Sequence, residues 1–460
     1  MKKPKFQIPS GMHDILPEDQ LYFQKIYKTS EGIAKFYGFE KIETPIIEEA
    51  ELFSKGIGIA TDIVEKQMFT FRTKGGDFLA LRPEGTTSIA RAYIEHGMHN
   101  LPQPVKLWYF GPFFRYERPQ AGRFRQFWQF GLEVFGEQSP VIDVQIIQIF
   151  YNILKELKFR NLIIEVNSIG CRHCRSYYRK LLVSYFKYRE SSLCSNCRRR
   201  LRENPLRILD CKEEKCQRII TQAPQMIDHL CEECKSHFKQ VLEFLDEMEL
   251  PYHLNSYLVR GLDYYTKTVF EIFSTSQKGL DSSSAVLLSP VVEKSDDGVN
   301  LDSKEKEVED TYSRTSALVG GGRFDALVKF LGGKDTPACG GAAGIDRMAQ
   351  LIKTKSMRWV AKPQFPQIFL AQLGDLAKKK SLVLLEKFRE AKVECSESFS
   401  KDSLKTQLGR ANKIGARYCL ILGQREALDG MVIIKDMKTG KQETVEMEKI
   451  VEEMKKRLKK

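Results

Sequence analysis

The stretch KLWYFGPFFRYERPQAGRFRQFWQFGLEVFG, residues 106–136, decides the fold. Apolar and polar side chains alternate along both of its halves, which predicts two β-strands joined by a tight turn at residues 119–122. In the second strand Gln129 and Glu133 share one face, with Gly131 between them. That face offers a slot floored by backbone and walled by an amide and a carboxylate, which suits a small polar cation such as an amino acid's ammonium group.

Arginines crowd the turn end of this hairpin, at Arg115, Arg118, Arg123 and Arg125. Their planar guanidinium groups would bind a polyphosphate through paired hydrogen bonds. An ordinary hairpin with a solvated basic turn has the same composition, and alternation also occurs in half-exposed strands. The two strands share one functional face only if odd-numbered residues pair with odd-numbered residues, and the sequence leaves that register open.

The stretch FLALRPEGT, residues 78–86, places polar side chains where a strand gives way to a helix. Glu84 and Thr86 lie at this junction, where side chains can converge on a ligand. The alternative is that they only serve the helix, with the threonine as its cap and the glutamate beside the positive end of its dipole. The residues alone leave both interpretations open.

The stretch NSYLVRGLDYYTKTVFEIF, residues 255–273, also indicates a site. We interpret Arg260 as the end of a strand, where Gly261 lets its guanidinium enter a site with little backbone obstruction. Tyr264 and Tyr265 would point in opposite directions in an extended chain and offer their hydroxyls to different partners. Further on, the glycines of ALVGGGRFDAL and PACGGAAGIDRM let the backbone approach a ligand closely.

Composition is that of a soluble globular protein, with 42% apolar and 29% charged residues in a chain of 460. The net charge is +13, and residues 171–234 contain 14 lysines and arginines against 8 acidic residues. That excess favours a polyanionic partner, although a charged run is often only a solvated face. We find no apolar run with the length of a secretory signal or a membrane span. We therefore expect a cytoplasmic protein without membrane contact, whose cysteines are reduced.

Eight of the 11 cysteines lie in a basic stretch, residues 168–252, whose pattern is largely helical. The first two pairs read CxxC, then nineteen residues, then CxxC, which is within the spacing of four-cysteine zinc sites. The sequence thus predicts either a structural zinc site or incidental free thiols, and such a metal would hold the segment together without touching the chemistry. The predicted ligands are Cys171, Cys174, Cys194 and Cys197, and the other pairs are Cys211 with Cys216 and Cys231 with Cys234.

The remainder of the chain completes the domain organisation. Residues 276–313 are rich in Ser, Asp, Lys and Glu and predict a mobile insertion. After a linker near residues 362–366, strand and helix patterns alternate to the end of the chain, which predicts a compact α/β domain.

Several of these motifs resemble class II aminoacyl-tRNA synthetases. FRYERP followed by GRFRQFWQFGLEVFG resembles the second class II motif, GFEKIETPIIEEAELFSKGIG the first, and GGAAGIDRM the third. RGLDYY resembles the histidine signature of the histidyl-tRNA synthetase family, class IIa and of bacterial type, and KIGARYCLILG resembles its anticodon-binding domain. The resemblance covers nearly the whole chain apart from residues 276–313.

The resemblance implies a fold and its division into domains. We expect an α+β catalytic core, an antiparallel sheet flanked by helices, made from residues 1–167 and 253–361. A mostly helical insertion domain, residues 168–252, would embrace the tRNA acceptor arm. An α/β anticodon-binding domain would occupy residues 362–460.

The resemblance also implies an activity and the residues that perform it. A homodimer would ligate L-histidine to tRNA(His) through a histidyl adenylate, with ATP and Mg²⁺, releasing AMP and diphosphate. The implied catalytic residues are Arg260 and Arg115. The implied histidine-binding residues are Glu84, Thr86, Gln129, Glu133, Tyr264 and Tyr265, and the implied ATP-binding residues are Arg115, Glu117, Arg123 and Arg347.

Three other functions compete with this interpretation. A non-catalytic paralogue, such as the regulatory subunit of ATP phosphoribosyltransferase, shares the core but typically lacks the anticodon domain and much of the substrate signature. A different class IIa synthetase, for prolyl, threonyl or glycyl transfer, is disfavoured by RGLDYY. An RNA-binding module without activity would not need Glu84, Gln129 and Glu133 together.

Overall fold

A computed structural model describes residues 5–119, 122–276, 313–314, 317–354, 366–399 and 403–459. They form two compact units, one within residues 1–360 and one within residues 361–460. Except for its end residues, the predicted mobile insertion at 276–313 lies outside the described residues. Among those described, no helix combines the length and the apolar character needed to cross a membrane.

The first unit contains twelve strands and ten α-helices among its described residues, with short 3₁₀ turns and one π-helical turn at Ile63–Gln67 between them. The strands are β1 (Glu40–Lys41), β2 (Ile47–Glu49), β3 (Phe69–Arg72), β4 (Phe78–Leu81), β5 (Val105–Phe114), β6 (Gln126–Phe135), β7 (Leu162–Ser168), β8 (Tyr252–Leu254), β9 (Thr266–Ser276), β10 (Ser313–Arg314), β11 (Val319–Arg323) and β12 (Ala338–Gly344). The helices are α1 (Pro17–Phe36), α2 (Ala50–Ile57), α3 (Thr86–Glu95), α4 (Val141–Glu156), α5 (Arg172–Lys187), α6 (Ser195–Glu203), α7 (Glu214–Ile220), α8 (Glu232–Glu247), α9 (Leu327–Phe330) and α10 (Ile345–Thr354).

A large sheet in the order β1-β5-β6-β12-β11-β9-β7-β8 forms the centre of this unit, with β10 paired to β9. Every pairing in it is antiparallel except β1 with β5 and β7 with β8. A smaller antiparallel sheet has the order β2-β4-β3. The expected α+β core, an antiparallel sheet flanked by helices, is therefore confirmed.

The hairpin of β5 and β6 has the register that the sequence left open. Gly111 pairs with Gln129 and Phe113 pairs with Phe127, so odd-numbered residues oppose odd-numbered residues and share one face. The other face of β6 is apolar, and Phe130 packs edge-on against Phe150 of α4 in the main hydrophobic core. Burying that face against a helix fixes the register, since a slip by one residue would bury the polar face instead.

The segment between β7 and β8 is helical, as expected. Helices α5 to α8 surround a core of their own, which includes Tyr178, Leu182 and Phe186 together with buried cysteines.

The second unit is an α/β domain, as predicted. Its sheet has the order β14-β13-β15-β16-β17, with parallel pairs where β13 meets β14 and β15 and antiparallel pairs elsewhere. The strands are β13 (Ile368–Gln372), β14 (Cys395–Glu397), β15 (Tyr418–Leu422), β16 (Met431–Asp436) and β17 (Gln442–Glu446). The helices are α11 (Asp375–Glu390), α12 (Leu404–Lys413), α13 (Gln424–Asp429) and α14 (Ile450–Lys459).

Candidate active site

Glu84 lies between β4 and α3, and its carboxylate caps the helix. One oxygen accepts the backbone N–H of Thr86 and the other accepts that of Thr87, both at 2.8 Å. Glu84 therefore serves the helix as the alternative supposed, but the N-cap residue is Gly85 and the Thr86 side chain does not cap the helix. Its hydroxyl instead donates to the carboxylate of Glu133 at 2.7 Å. The sequence pattern thus brings three buried polar groups from two distant stretches together.

Glu133 is fully buried on β6, and its second oxygen, Oε2, has no hydrogen-bond partner among the described residues. Burial raises the pKa of this carboxyl group well above its ordinary value, and the nearby Glu84 raises it further against the hydrogen bond from Thr86. The backbone of Gly340 on β12 lies so close to Oε2 that any side chain there would overlap it. Because an unpaired buried carboxylate oxygen is costly, this atom is poised for a cationic hydrogen-bond donor.

Gln129 lies two residues from Gly131 on the same face of β6, and its amide oxygen is also buried without a partner among the described residues. The slot predicted above Gly131 is filled, because the ring of Tyr109 packs directly against that glycine and against Gly85. Tyr109 belongs to the neighbouring strand β5 and pairs with Gly131 in the register of the hairpin. Sequence analysis missed Tyr109. Once the register of the hairpin is known, its odd number places Tyr109 on the same face as Gln129 and Glu133.

Tyr264 and Tyr265 lie in the same buried cluster, on the loop that precedes β9. The Tyr264 hydroxyl donates to Glu84 at 3.3 Å. The two rings are tilted against each other with their centroids 4.6 Å apart, so they do not have the opposite orientations expected for an extended chain. The reason is local, because these residues form a turn and not an extended strand.

Arg260 lies in the same loop and not at the end of a strand, which corrects its predicted position. Its guanidinium makes an ion pair with Glu271 of β9 and lies directly over Gly320 of β11, where a side chain would displace it. The side chain is only 19% exposed, and its Nε has no partner among the described residues. Glu271, which sequence analysis did not identify, therefore orients the arginine beside the tyrosine cluster.

A second group of charged residues gathers around the turn end of the hairpin. Arg115 donates to the carbonyl of Pro83 at 2.9 Å, and its guanidinium lies 5.4 Å from the ring of Phe127. The carboxylate of Glu117 lies 4.0 Å from the guanidinium of Arg115 and 3.9 Å from that of Arg123. The hairpin thus holds two cations and one anion, and Arg115 connects this group to Pro83, the residue next to Glu84.

Arg347, on α10, joins this group from the other side, with its side chain against Gly122 and its guanidinium donating to the carbonyl of Ala317. Burial lowers the pKa of Arg347, and the neighbouring charge of Arg123 lowers it further. An anion placed between the partly buried Arg347 and the exposed Arg123 would relieve this repulsion. This edge of the site is therefore suited to a polyphosphate.

Arg125 has a structural role and does not join that group. Its guanidinium stacks on the ring of Tyr116 at 3.8 Å and donates to the carbonyls of Glu117 and Ser10. It therefore ties the chain before α1 to the hairpin, while Arg118 is exposed.

The eight cysteines of the insertion form two clusters, and the predicted grouping is wrong. The first cluster contains Cys171, Cys174, Cys231 and Cys234, and the second contains Cys194, Cys197, Cys211 and Cys216. The two CxxC pairs that are nearest in sequence, 171 with 174 and 194 with 197, are separated in space. The start of α5 meets the start of α8 instead, because the helices of the insertion pack with those ends together.

Comparison with known proteins matches both units. A family model described as histidyl-tRNA synthetase matches residues 11–174, and one described as anticodon binding domain matches residues 367–457. The histidine–tRNA ligase of Dehalococcoides mccartyi is 40% identical over 453 residues, which cover 98% of this chain and 100% of that protein. The histidine–tRNA ligase of Desulforudis audaxviator is 41% identical over 446 residues, 97% of each chain. The crystal structure of apo histidyl-tRNA synthetase from S. aureus is 30% identical with a TM-score of 0.72, covering 97% of this chain and 99% of that one.

Proposed function

The chain belongs to the histidyl-tRNA synthetase family, and from this premise we propose how its own residues perform the family's reaction. That reaction is the ATP-dependent ligation of histidine to tRNA(His) through a histidyl adenylate, with release of AMP and diphosphate. The chain is accordingly a histidine–tRNA ligase in activity and acts in translation. The proposal concerns the roles of individual residues, the partners and the assembly.

The buried cluster around Glu133 is the proposed histidine pocket. The substrate's ammonium group would bind the unpaired Oε2 of Glu133 and the Glu84–Thr86 pair, which together supply carboxylate and hydroxyl acceptors. The amide of Gln129 and the phenols of Tyr264 and Tyr265 would pair with the rest of the substrate. Because these buried polar groups stay unpaired when an apolar analogue binds, we expect discrimination of about 10⁴ against such analogues.

The charged group at the turn end of the hairpin is the proposed ATP site. Glu117 would accept a hydrogen bond from the adenine amino group, and Arg123 and Arg347 would hold the tail phosphates of ATP, which enters as its Mg²⁺ complex. Arg115 would contact the α-phosphate. The lowered pKa of Arg347 supports this assignment, since a polyanion relieves the cost of burying this arginine near another cation.

Catalysis needs no protein nucleophile, because the carboxylate of histidine itself attacks the α-phosphorus. The new bond joins a carboxylate oxygen to phosphorus as the bond from phosphorus to the leaving diphosphate breaks. Arg260 and Arg115, one from each side, would neutralise the charge that develops on the phosphoryl oxygens, and one such fixed donor is worth about 3 to 4 kcal/mol. A terminal ribose hydroxyl of the tRNA then attacks the histidyl carbonyl, and AMP leaves.

The tRNA would be bound by two parts of the chain. The second unit matches the anticodon binding domain family, and the helical insertion of residues 168–252 is basic, which suits the acceptor arm's phosphates. We further propose a cytoplasmic homodimer whose interface includes residues 38–58. Two apolar side chains in that stretch, Ile46 and Ile47, are 42% and 45% exposed in the single chain. Light scattering of the purified protein would test the dimer.

The unpaired Oε2 of Glu133 is the observation that carries this proposal, and exchange of labelled pyrophosphate into ATP is the direct test. Each of the twenty amino acids is tested separately, and we expect exchange with histidine alone. If no amino acid supports exchange while the protein is folded and binds ATP, the synthetase function fails and a regulatory paralogue becomes the better interpretation.

Replacing Glu133 with glutamine should raise the KM for histidine by about 10- to 100-fold, because a hydrogen bond to a charged group contributes about 1.5 to 3 kcal/mol. The KM for ATP should stay near the wild-type value, since the ATP contacts lie at the turn end of the hairpin. Both constants are measured by pyrophosphate exchange. The matched control is Glu156→Gln, an exposed glutamate on α4. Equal changes in both KM values would contradict the assigned role.

A further inference from the structure

We propose that the insertion binds two Zn²⁺ ions, one in each cysteine cluster, and that they hold in place the loop of residues 260–265, here named the histidine loop. The significance of that loop rests on the proposed function, since it contains Arg260, Tyr264 and Tyr265. The zinc sites themselves rest only on the geometry of the cysteines. The sequence alone predicted at most one site, which grouped Cys171 and Cys174 with Cys194 and Cys197 and had no connection to the chemistry.

The sulfur positions in both clusters fit a tetrahedral metal. All four Sγ atoms in each cluster lie within 4.8 Å of one another. The Sγ atoms of Cys171 and Cys174 are 3.6 Å apart, and those of Cys194 and Cys211 are 3.9 Å apart. Zn–S bonds of about 2.3 Å at tetrahedral angles place neighbouring sulfurs about 3.8 Å apart. A disulfide would need about 2.05 Å, so these pairs have the spacing of metal ligands and not of a covalent bond.

The local backbone also favours thiolates. Cys171, Cys194 and Cys231 are the N-cap residues of α5, α6 and α8, where the helix dipole stabilises negative charge. Backbone N–H groups donate to three sulfurs, since the N–H of Cys231 donates to Cys174 at 3.1 Å, that of Cys194 to Cys216 at 3.3 Å and that of Cys197 to Cys194 at 3.4 Å. Such hydrogen bonds orient and stabilise metal-bound thiolates.

The helix that begins at the second cluster has few apolar contacts of its own. Helix α6 has the sequence SNCRRRLRE, with four arginines among nine residues, and only Cys197 and Leu201 are buried. A helix this short and this highly charged buries too little apolar surface to be stable by packing alone. A metal bound through Cys194 and Cys197 would supply that stability.

The helix held by the second cluster contacts the catalytic core directly. Arg200 of α6 and Arg207, just beyond it, both donate to the carboxylate of Asp62, at 2.8 and 2.9 Å. Asn204 lies between these arginines, and its amide donates to the Asp263 carboxylate at 2.8 Å. Asp263 is part of the histidine loop, so the second cluster fixes one side of that loop.

The first cluster supports the same histidine loop through a different helix, α5. Arg175 follows Cys174 on α5, and its guanidinium donates to the backbone carbonyl of Tyr265 at 2.7 Å and to that of Asp263 at 3.3 Å. Arg175 is therefore a positioning residue, as is Asn204, and neither lies in the pocket. Loss of either metal should displace the loop and weaken histidine binding, and it should also lower kcat because the loop contains Arg260. Glu117, Arg123 and Arg347 lie on other elements and should keep their contacts with ATP.

Metal content of the full-length protein is the first test. Protein produced with ample zinc should contain two Zn²⁺ per chain by mass spectrometry, Cys234→Ser and Cys211→Ser should each contain one, and the double variant none. The matched control Cys395→Ser, a cysteine of the second unit, should retain two. When Co²⁺ replaces the zinc, visible absorption bands of tetrahedral thiolate coordination should appear, and their intensity should be proportional to the number of intact clusters in each variant. Fewer than two zinc ions in the replete wild-type protein, or iron in their place, would overturn the assignment.

Pyrophosphate exchange, which needs no tRNA, tests the link to the histidine loop. Arg175→Met and Asn204→Ala should both retain two zinc ions. Each should raise the KM for histidine by about 10- to 100-fold, which is the usual cost of losing a contact that supports a site. The KM for ATP should not change. Zinc removed from the wild type by a chelator should produce the same change, and added zinc should reverse it. A zinc-depleted protein with the wild-type KM for histidine would refute the link. A wild-type protein with two zinc ions and no exchange would instead refute the proposed function.

Discussion

Replacing Arg260 with alanine is expected to lower kcat for histidine-dependent pyrophosphate exchange by about 10³-fold, with a smaller effect on the KM for histidine. The guanidinium lies 5.9 Å from the centre of the Tyr265 ring and is held by its ion pair with Glu271 and by the close approach of Gly320. A donor fixed in this way needs no reorganisation when charge develops on the α-phosphate. Its loss should therefore act on the transition state more than on substrate binding.

Two further variants separate this role from a loss of structure. Arg260→Ala removes the cation of the Arg260–Glu271 ion pair, so Arg260→Ala/Glu271→Gln, which removes both charges of that pair, should fold at least as well and have the same low kcat. Arg260→Lys retains the charge but not the paired donors, and should recover only part of the activity. Arg389→Ala, an exposed arginine of the second unit, is the control. A kcat for Arg260→Ala within a few-fold of the wild type would contradict the proposed role.

The hairpin shows how far the sequence could predict the site. Alternation along β6 correctly placed Gln129 and Glu133 on one face, because a strand has a period of two residues whatever its surroundings. It could not predict Tyr109, since that ring comes from β5 and its position depends on the register between the strands. The slot above Gly131 appears open when β6 is considered alone, but the Tyr109 side chain of the neighbouring strand β5 fills it.

Errors of another kind arose where partners are far apart in the chain. The sequence suggested that neighbouring cysteine pairs share a metal, but Cys174 lies beside Cys231, more than fifty residues away, because the packing of α5 against α8 decides which sulfurs meet. Arg260 was assigned to a strand from local pattern, whereas its loop is shaped by contacts with the insertion, such as that of Arg175. Such long-range packing is not visible in spacing or composition.

Asp143 was missed for a related reason. Its neighbours on α4 include the buried apolar residues Ile142 and Val144, and an acidic residue near a helix start resembles a surface residue that complements the helix dipole. The structure instead buries its carboxylate completely. The Arg323 guanidinium approaches to 2.8 Å, His237 Nε2 to 2.7 Å and the Thr268 hydroxyl to 2.8 Å, so one carboxylate joins α4, β11, α8 and β9.

We expect Asp143→Ala to lower the free energy of unfolding of the first unit by about 3 to 5 kcal/mol, because it removes the fully buried carboxylate that pairs with Arg323 and leaves only the partly exposed Asp325 beside that buried cation. Urea unfolding followed by tryptophan fluorescence measures this unit, since all three tryptophans lie within residues 1–360. Asp335→Asn, which removes an exposed ion pair with Lys329, is the control and should have a small effect.

A variant without both the Asp143 and the Arg323 charge shows whether stability is lost through the broken ion pair or through altered packing of the core. Asp143→Leu/Arg323→Met removes both fully buried charges and should regain much of the stability, although the carbonyls of Glu137 and Ser139 and the carboxylate of Asp325 each lose a donor. Burial raises the pKa of Asp143, but Arg323 and His237 outweigh it and hold the pKa below its ordinary value. The stability that ionised Asp143 contributes is therefore fully present above its pKa of about 3.9 in the unfolded chain. It is lost as the pH falls through the lower pKa of Asp143 in the folded protein. Asp143→Asn should weaken that acid dependence, and a variant as acid-sensitive as the wild type would show that other carboxylates cause it.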